Sequence, residues 1–115
     1  MKRAVPLFAL LLTAQGQAWA ADVAAGKVVF DAVCAYCHRT DYEDKFGPGL
    51  GGIKDRVSDE WLNAFLQDPE AMVKTDEHAK ALREANSWGI TMPKIPEMQK
   101  PDARANVIAY IKTLE

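Results

Sequence analysis

The order of apolar and polar positions divides the chain into a leader and a helical body. The leader starts basic at Lys2 and Arg3, runs apolar from Val5 to Leu12 with only Pro6 interrupting, and closes on Ala18-Trp19-Ala20. A charged start, a short apolar run and an A-x-A exit are the marks of a secretory signal, with cleavage expected after Ala20. A membrane anchor needs about 20 apolar residues, and Thr13, Gln15 and Gln17 break this run before that length. The expected organisation is a cleaved signal peptide over residues 1–20 and one domain over residues 21–115.

Beyond the leader the spacing becomes helical. Asp22 to Val33 carries Val23, Val28, Val29, Phe30 and Val33, with Gly26 and Phe30 one turn apart. Ser58 caps a helix that has Asp59 and Glu60 in its first turn and Trp61, Leu62, Phe65 and Leu66 on its apolar face; Asp68-Pro69 stops it. Thr75 or Asp76 opens another helix ending near Asn86, with Glu77, Lys80, Arg83 and Glu84 expected to be largely solvated. A last helix follows Pro101, from Asp102 to Leu114, with Val107, Ile108, Tyr110, Ile111 and Leu114. The stretch around Met72, after Asp68-Pro69-Glu70, reads as a connection.

Composition adds little. A hydrophobic share of 49% and a charged share of 26% sit near globular averages, which excludes a disordered or fibrous chain. Loss of the leader removes Lys2, Arg3 and no acid, taking the formal charge from −2 to −4. A mildly acidic chain with no Lys/Arg cluster is a poor partner for nucleic acid, which needs a concentrated positive patch.

The chemistry is concentrated in Cys34-Ala35-Tyr36-Cys37-His38, a C-x-x-C-H haem attachment signature. Two thiols on one helical turn are spaced to add across the two vinyl groups of a porphyrin, and His38 then falls beneath the iron as proximal ligand. Three other readings compete. A redox dithiol of the thioredoxin type wants a strand before the first cysteine and a helix beginning at it, whereas Asp22 to Val33 reads as a helix before it. A zinc site wants four ligands, and beyond Cys34, Cys37 and His38 only the distant His78 is on offer. A structural disulfide, natural in an oxidising compartment, would leave His38 without a reason.

With this motif near its start and a helix at its end, the chain resembles the class I c-type cytochromes over residues 22–115. The resemblance implies an all-α cytochrome c fold, three to five helices around one covalently bound haem c, with a methionine between motif and last helix as second iron ligand. Iron with a second strong ligand in reach is six-coordinate, and thioether sulfur raises the potential. Met92 is the best candidate: Pro93 pushes it out of helical geometry into an extended loop, and family members carry their ligand in a similar Met-Pro context. Met98 is the main rival, with Met72 and His78 behind it.

The resemblance also implies that the first and last helices cross nearly at right angles, with Gly26, Phe30 and Tyr110 at the contact. In Phe46-Gly47-Pro48-Gly49-Leu50-Gly51-Gly52 the Lys-Ser/Thr ending of a phosphate loop is missing. By resemblance, the Pro48 carbonyl accepts the second ring N–H of His38, fixing the imidazole and raising its basicity. Arg56 and Trp61 are candidates for the haem carboxylates, which need donors or a counter-charge when buried. A large flat porphyrin would complete a core too small to close by itself, so the haem-free chain is expected to be largely unfolded.

Two protein ligands leave the iron no vacant position, so electron transfer is the function expected. The expected setting is the bacterial periplasm, without a membrane anchor after signal cleavage. Expected partners are redox donors and acceptors docking transiently through a small interface, the chain being a monomer or a subunit of a complex. The alternatives are a cytochrome subunit of a larger oxidoreductase, or a gas- or peroxide-reactive haem protein should Met92 not bind iron.

Overall fold

The computed structural model describes residues 3–4 and 20–115. The signal peptide expected over residues 1–20 falls, but for Arg3, Ala4 and Ala20, outside the described residues.

Five helices make up the body: α1 (Val23–Ala32), α2 (Asp59–Gln67), α3 (Pro69–Thr75), α4 (Glu77–Ala85) and α5 (Pro101–Ile111). Short 3-10 turns lie at Cys34–Tyr36, Ile53–Asp55 and Pro96–Gln99, and no strand occurs among the described residues. The fold is all-α, as expected.

Helix starts are chosen by side chains that satisfy first-turn N–H groups. Asp22 accepts from the Ala25 amide at 3.0 Å, Ser58 from Trp61 at 3.1 Å, Asp68 from Ala71 at 3.1 Å and Asp76 from Ala79 at 2.9 Å. Asp68 corrects the reading of the Met72 stretch as a connection. The same Asp-Pro pair that ends α2 begins α3, with Asp68 as cap and Pro69 at the first helical position, where its missing N–H costs nothing. The last helix likewise opens on Pro101, one residue earlier than expected, and gives way to a tightened turn after Ile111.

The two terminal helices form the frame. A Cβ placed on Gly26 would lie 1.9 Å from the Asn106 carbonyl oxygen, so only glycine permits this approach of α1 to α5. Beside it Phe30 and Tyr110 meet edge to face, with ring centroids 5.2 Å apart. The Asp22 amide donates to Asn106 Oδ1 at 2.8 Å, tying the start of the body to its last helix. Phe30, Leu62, Leu66, Met98, Val107 and Ile111 make the core between α1, α2 and α5.

One charged residue is buried among the described residues: Arg104 of α5. Its Nε donates to Asn63 Oδ1 on α2 and its Nη1 to the Met98 carbonyl, both at 2.7 Å, so its polar groups are satisfied without a carboxylate.

Candidate functional site

The end of α1 delivers the C-x-x-C-H motif into a cavity. Val33 closes the helix, and the 3-10 turn at Cys34–Tyr36 follows at once. The amides of Cys37 and His38 both donate to the Cys34 carbonyl, at 3.1 and 3.0 Å, which folds the motif into one turn. Cys34 and Cys37 are half-buried free thiols, not a disulfide, and both line the cavity. Burial, with a smaller contribution from the Glu97 charge, pushes the Cys34 thiol up to about 11.

His38 is held from the far side by the glycine-rich loop. Its Nδ1–H donates to the Pro48 carbonyl at 2.8 Å; since that oxygen can only accept, the tautomer follows, and Nε2 is left as the lone-pair nitrogen. Burial pushes the His38 pKa down, with the Pro48 bond opposing it, so the ring is neutral, as a ligand must be. Gly47 lies flat against the imidazole: a Cβ there would sit 2.5 Å from Cε1 and 2.9 Å from Nδ1. The Gly47 amide donates to the Cys37 carbonyl at 2.8 Å, locking loop to motif.

Much of the remaining lining comes from α2, α4 and the segment that follows α4. Trp61, Phe65 and Leu66 of α2, Ala79 and Leu82 of α4, and Met92 and Ile95 beyond it line the same cavity. Its open volume is about 1210 Å³ including the part continuous with solvent, and its surface is overwhelmingly apolar. Among the described residues Met92 is the one methionine in the lining. Met98 is 1% exposed in the protein core, and Met72 sits half-buried on α3 outside the lining. His78 is exposed on α4 and meets the Trp61 ring edge-on at 5.1 Å.

Of the two residues singled out for haem carboxylates, Trp61 has its one N–H donor engaged within the protein and Arg56 has its Nη2 engaged. Trp61 lines the cavity, but its indole N–H donates to Asp76 Oδ2 at 3.0 Å; that bond, with the Ala79 amide, holds the Asp76 carboxyl below its ordinary range. Arg56 is exposed and outside the lining, with Nη2 donating to the Gly49 and Gly51 carbonyls at 3.1 and 2.9 Å.

Polar residues that do reach the lining are Arg83, Asn86 and Thr91. Arg83, read from sequence as solvated, is half-buried, with Nε donating to Thr91 Oγ1 at 2.7 Å. Asn86 donates through Nδ2 to the Phe46 carbonyl at 2.8 Å and accepts through Oδ1 from the Trp88 and Ile90 amides. It thereby bridges the two walls, alongside Phe46, which stacks on exposed Tyr36 and meets exposed Trp88 edge-on. A signal for this face exists in the sequence: Ala79, Leu82, Arg83 and Asn86 stand at i, i+3, i+4 and i+7.

The chemistry of the donor set fits a covalently held haem. Two free thiols in one turn, a neutral imidazole with one nitrogen tied and one unpaired, and a thioether line a cavity walled by apolar side chains. Among the described residues no three His, Cys, Asp or Glu side chains converge as a zinc site requires.

Comparison with known proteins shows the family and the fold. The family model described as Cytochrome c matches residues 23–115. The cytochrome c2 of Rhodopila globiformis is 29% identical over 112 residues, spanning 87% of this chain and 100% of that protein. The cytochrome c of Chlamydomonas reinhardtii is 30% identical over 115 residues, spanning 84% of this chain and 92% of that one. Among solved structures, cytochrome c from Rhodothermus marinus superposes with a TM-score of 0.72 at 21% identity, over 80% of this chain and 75% of the other, a likeness of fold. An engineered cytochrome c from the same organism, bound to a carbene intermediate, superposes with a TM-score of 0.65 at 25% identity, over the same shares.

Proposed function

The chain belongs to the cytochrome c family, whose members carry one covalently bound haem c, and from that premise we propose that it is an exported, periplasmic electron carrier with His38 and Met92 as axial ligands. That it carries electrons and is not an enzyme rests on its relatives; the ligand pair, the site of attachment and the compartment are our own reading. When bound, haem c supplies a one-electron couple between ferrous and ferric iron.

Everything else is done by the chain. Cys34 and Cys37 would hold the porphyrin by thioether bonds, both thiols being free on one turn of the cavity wall. His38 would donate Nε2 to the iron, and the Pro48 carbonyl, by holding Nδ1–H, fixes the ring and strengthens the donor. Met92, which lines the same cavity, would bring soft sulfur, favouring the reduced state. With His38 and Met92 both holding the iron, no position would be left for a substrate. The apolar lining from α2, α4 and α5 excludes water and keeps reorganisation on electron exchange small. Partners would be other redox proteins docking briefly at the cavity mouth, and among the described residues no helix is long and apolar enough to cross a membrane. The leader pattern of residues 1–20 supports export.

The observation that carries this reading is the tied imidazole of His38, with both cysteines and one methionine lining the same cavity. Purified exported protein should keep its pigment through denaturation and acid-acetone extraction, since thioether bonds survive both. Met92→Ala should abolish the weak sulfur-to-iron charge-transfer band of the oxidised protein. Persistence of that band would move the ligand to Met98 or Met72.

A further inference from the structure

The segment that bears Met92 leaves α4 at Asn86 and rejoins regular structure at α5, and along it only the short turn at Pro96–Gln99 has helical hydrogen bonding. Such a stretch does not fix a side chain by its own backbone. Its two ends are nonetheless gripped by a matched device. At one end Arg83 of α4 donates Nε to Thr91 Oγ1 at 2.7 Å, on the residue next to Met92. At the other, Arg104 of α5 donates Nη1 to the Met98 carbonyl at 2.7 Å while its Nε is held by Asn63 of α2, also at 2.7 Å. Among the described residues, neither guanidinium has a carboxylate within salt-bridge distance.

That last point separates these arginines from ordinary surface cations. A charged donor held away from water is stabilised only by the acceptors it finds, so a short bond from it to a hydroxyl or carbonyl is stronger than a neutral one and costly to lose. Arg104 is 8% exposed, and Arg83 is half-buried in the cavity lining. Each has therefore exchanged solvent for an acceptor in the methionine segment.

We propose that Arg83 and Arg104 are positioning residues that clamp the Met92 segment from its two ends and so set how often the sulfur leaves the iron. The proposal rests on Met92 being the axial ligand. In it the segment opens and closes as a unit, and the arginine bonds, lost on opening, contribute to the closed state. A small external ligand binds ferric iron only in the open state, so its apparent affinity reports the open fraction.

The test is imidazole titration of the oxidised holoprotein, followed by loss of the charge-transfer band, with hydrogen exchange of the amides between residues 87 and 100 as a readout independent of the iron. Arg83→Met and Thr91→Val each remove one end of the clamp and should each tighten apparent imidazole binding about tenfold, equivalent to about 1.4 kcal/mol of opening. The double variant should be no worse than either single one, because both delete the same bond. Arg104→Gln should act in the same direction and at least as strongly, and should speed exchange in the segment while leaving that of α1 protected. Arg83→Lys should restore most of the wild-type affinity. Should Arg104→Gln not yield holoprotein, the Arg83 and Thr91 variants decide alone. Unchanged imidazole affinity in Arg83→Met and Thr91→Val overturns the proposal, as do additive effects in the double variant. A wild-type protein without the band would instead mean that Met92 is not the ligand, the failure of the reading beneath it.

Discussion

The two faces of the cavity are built by different means. On the histidine face everything is close in sequence: Cys34, Cys37 and His38 occupy one turn, and the carbonyl that holds the imidazole belongs to Pro48, ten residues on. On the methionine face the helices α2, α4 and α5 must first assemble, and the Met92 segment is then fixed by bonds from Arg83 and Arg104 and by its Trp88 and Ile90 amides, which donate to Asn86 Oδ1. Gln99 adds another, its Nε2 donating to the Gln67 carbonyl at the end of α2 at 2.9 Å. One face is specified by covalent spacing and would hold its ligand in a partly folded chain. The other exists only when the tertiary structure does, so with Met92 as the proposed ligand the sulfur should be the first lost under any stress.

The contrast can be broken or sharpened experimentally. The largest effect is expected from Cys34→Ala together with Cys37→Ala, which would remove the proposed covalent tether. The product should lack pigment and be largely unfolded, with a collapsed near-ultraviolet circular dichroism signal; a well-dispersed nuclear magnetic resonance spectrum from this haem-free chain would contradict it. Next comes Met98→Ala on the methionine side. Truncating a side chain that is 1% exposed should cost about 2–5 kcal/mol in denaturant unfolding and should lower the midpoint of sulfur loss below that of global unfolding. Gly47→Ala perturbs the histidine face. Its Cβ would fall 2.5 Å from the His38 ring, so either ring or loop must move, at a cost of about 1–3 kcal/mol. The histidine face should nevertheless keep its ligand, shifting the Soret and paramagnetic histidine signals rather than abolishing them.

The smallest effect concerns acid. The carboxyl of Asp76, which receives the Trp61 indole N–H and the Ala79 amide, lies below its ordinary value of 3.8. A carboxyl depressed on folding contributes stability that is present above the unfolded value and lost as pH falls through the folded one. Asp76→Asn keeps a good helix cap and an acceptor for Trp61 but removes the charge. Thermal melts should show the wild-type midpoint falling more steeply than the variant's once the pH drops below about 4. Parallel curves would mean that Asp76 matters through its hydrogen bonds alone.

The same division explains what was legible in the sequence. C-x-x-C-H is local and is read from its spacing; the Gly-Pro pair that receives its histidine is also local, and its role is read from the family resemblance. Met92 stands out as the candidate ligand because Pro93 disfavours a helix there, and the terminal helices are read from their apolar spacing, with Gly26, Phe30 and Tyr110 placed at their contact by resemblance. The stretch after Asp68-Pro69 was misread because a helix stop and a helix start use the same two residues, and α3 is too short to show a period of its own. Arg83 was misjudged because charge suggests solvent, while its place in the lining follows from where α4 packs. For Arg56 and Trp61, residue type announced a donor. Only the folded chain shows that Gly49, Gly51 and Asp76 accept from them.

The bond from the Asp22 amide to Asn106 joins positions 84 residues apart, and the glycine contact beside it closes the same frame. A polypeptide grows from its amino end, so α1 and the thiols behind it exist long before the helix that must cover them. Through that interval the motif hangs from an open strand, reachable by whatever machinery delivers the porphyrin. In the folded chain Cys34 is half-buried, and burial pushes its thiol up to about 11, so it is less ready to ionise. Capture should therefore precede closure, and slowing the arrival of the final helix should widen the window for loading the pigment.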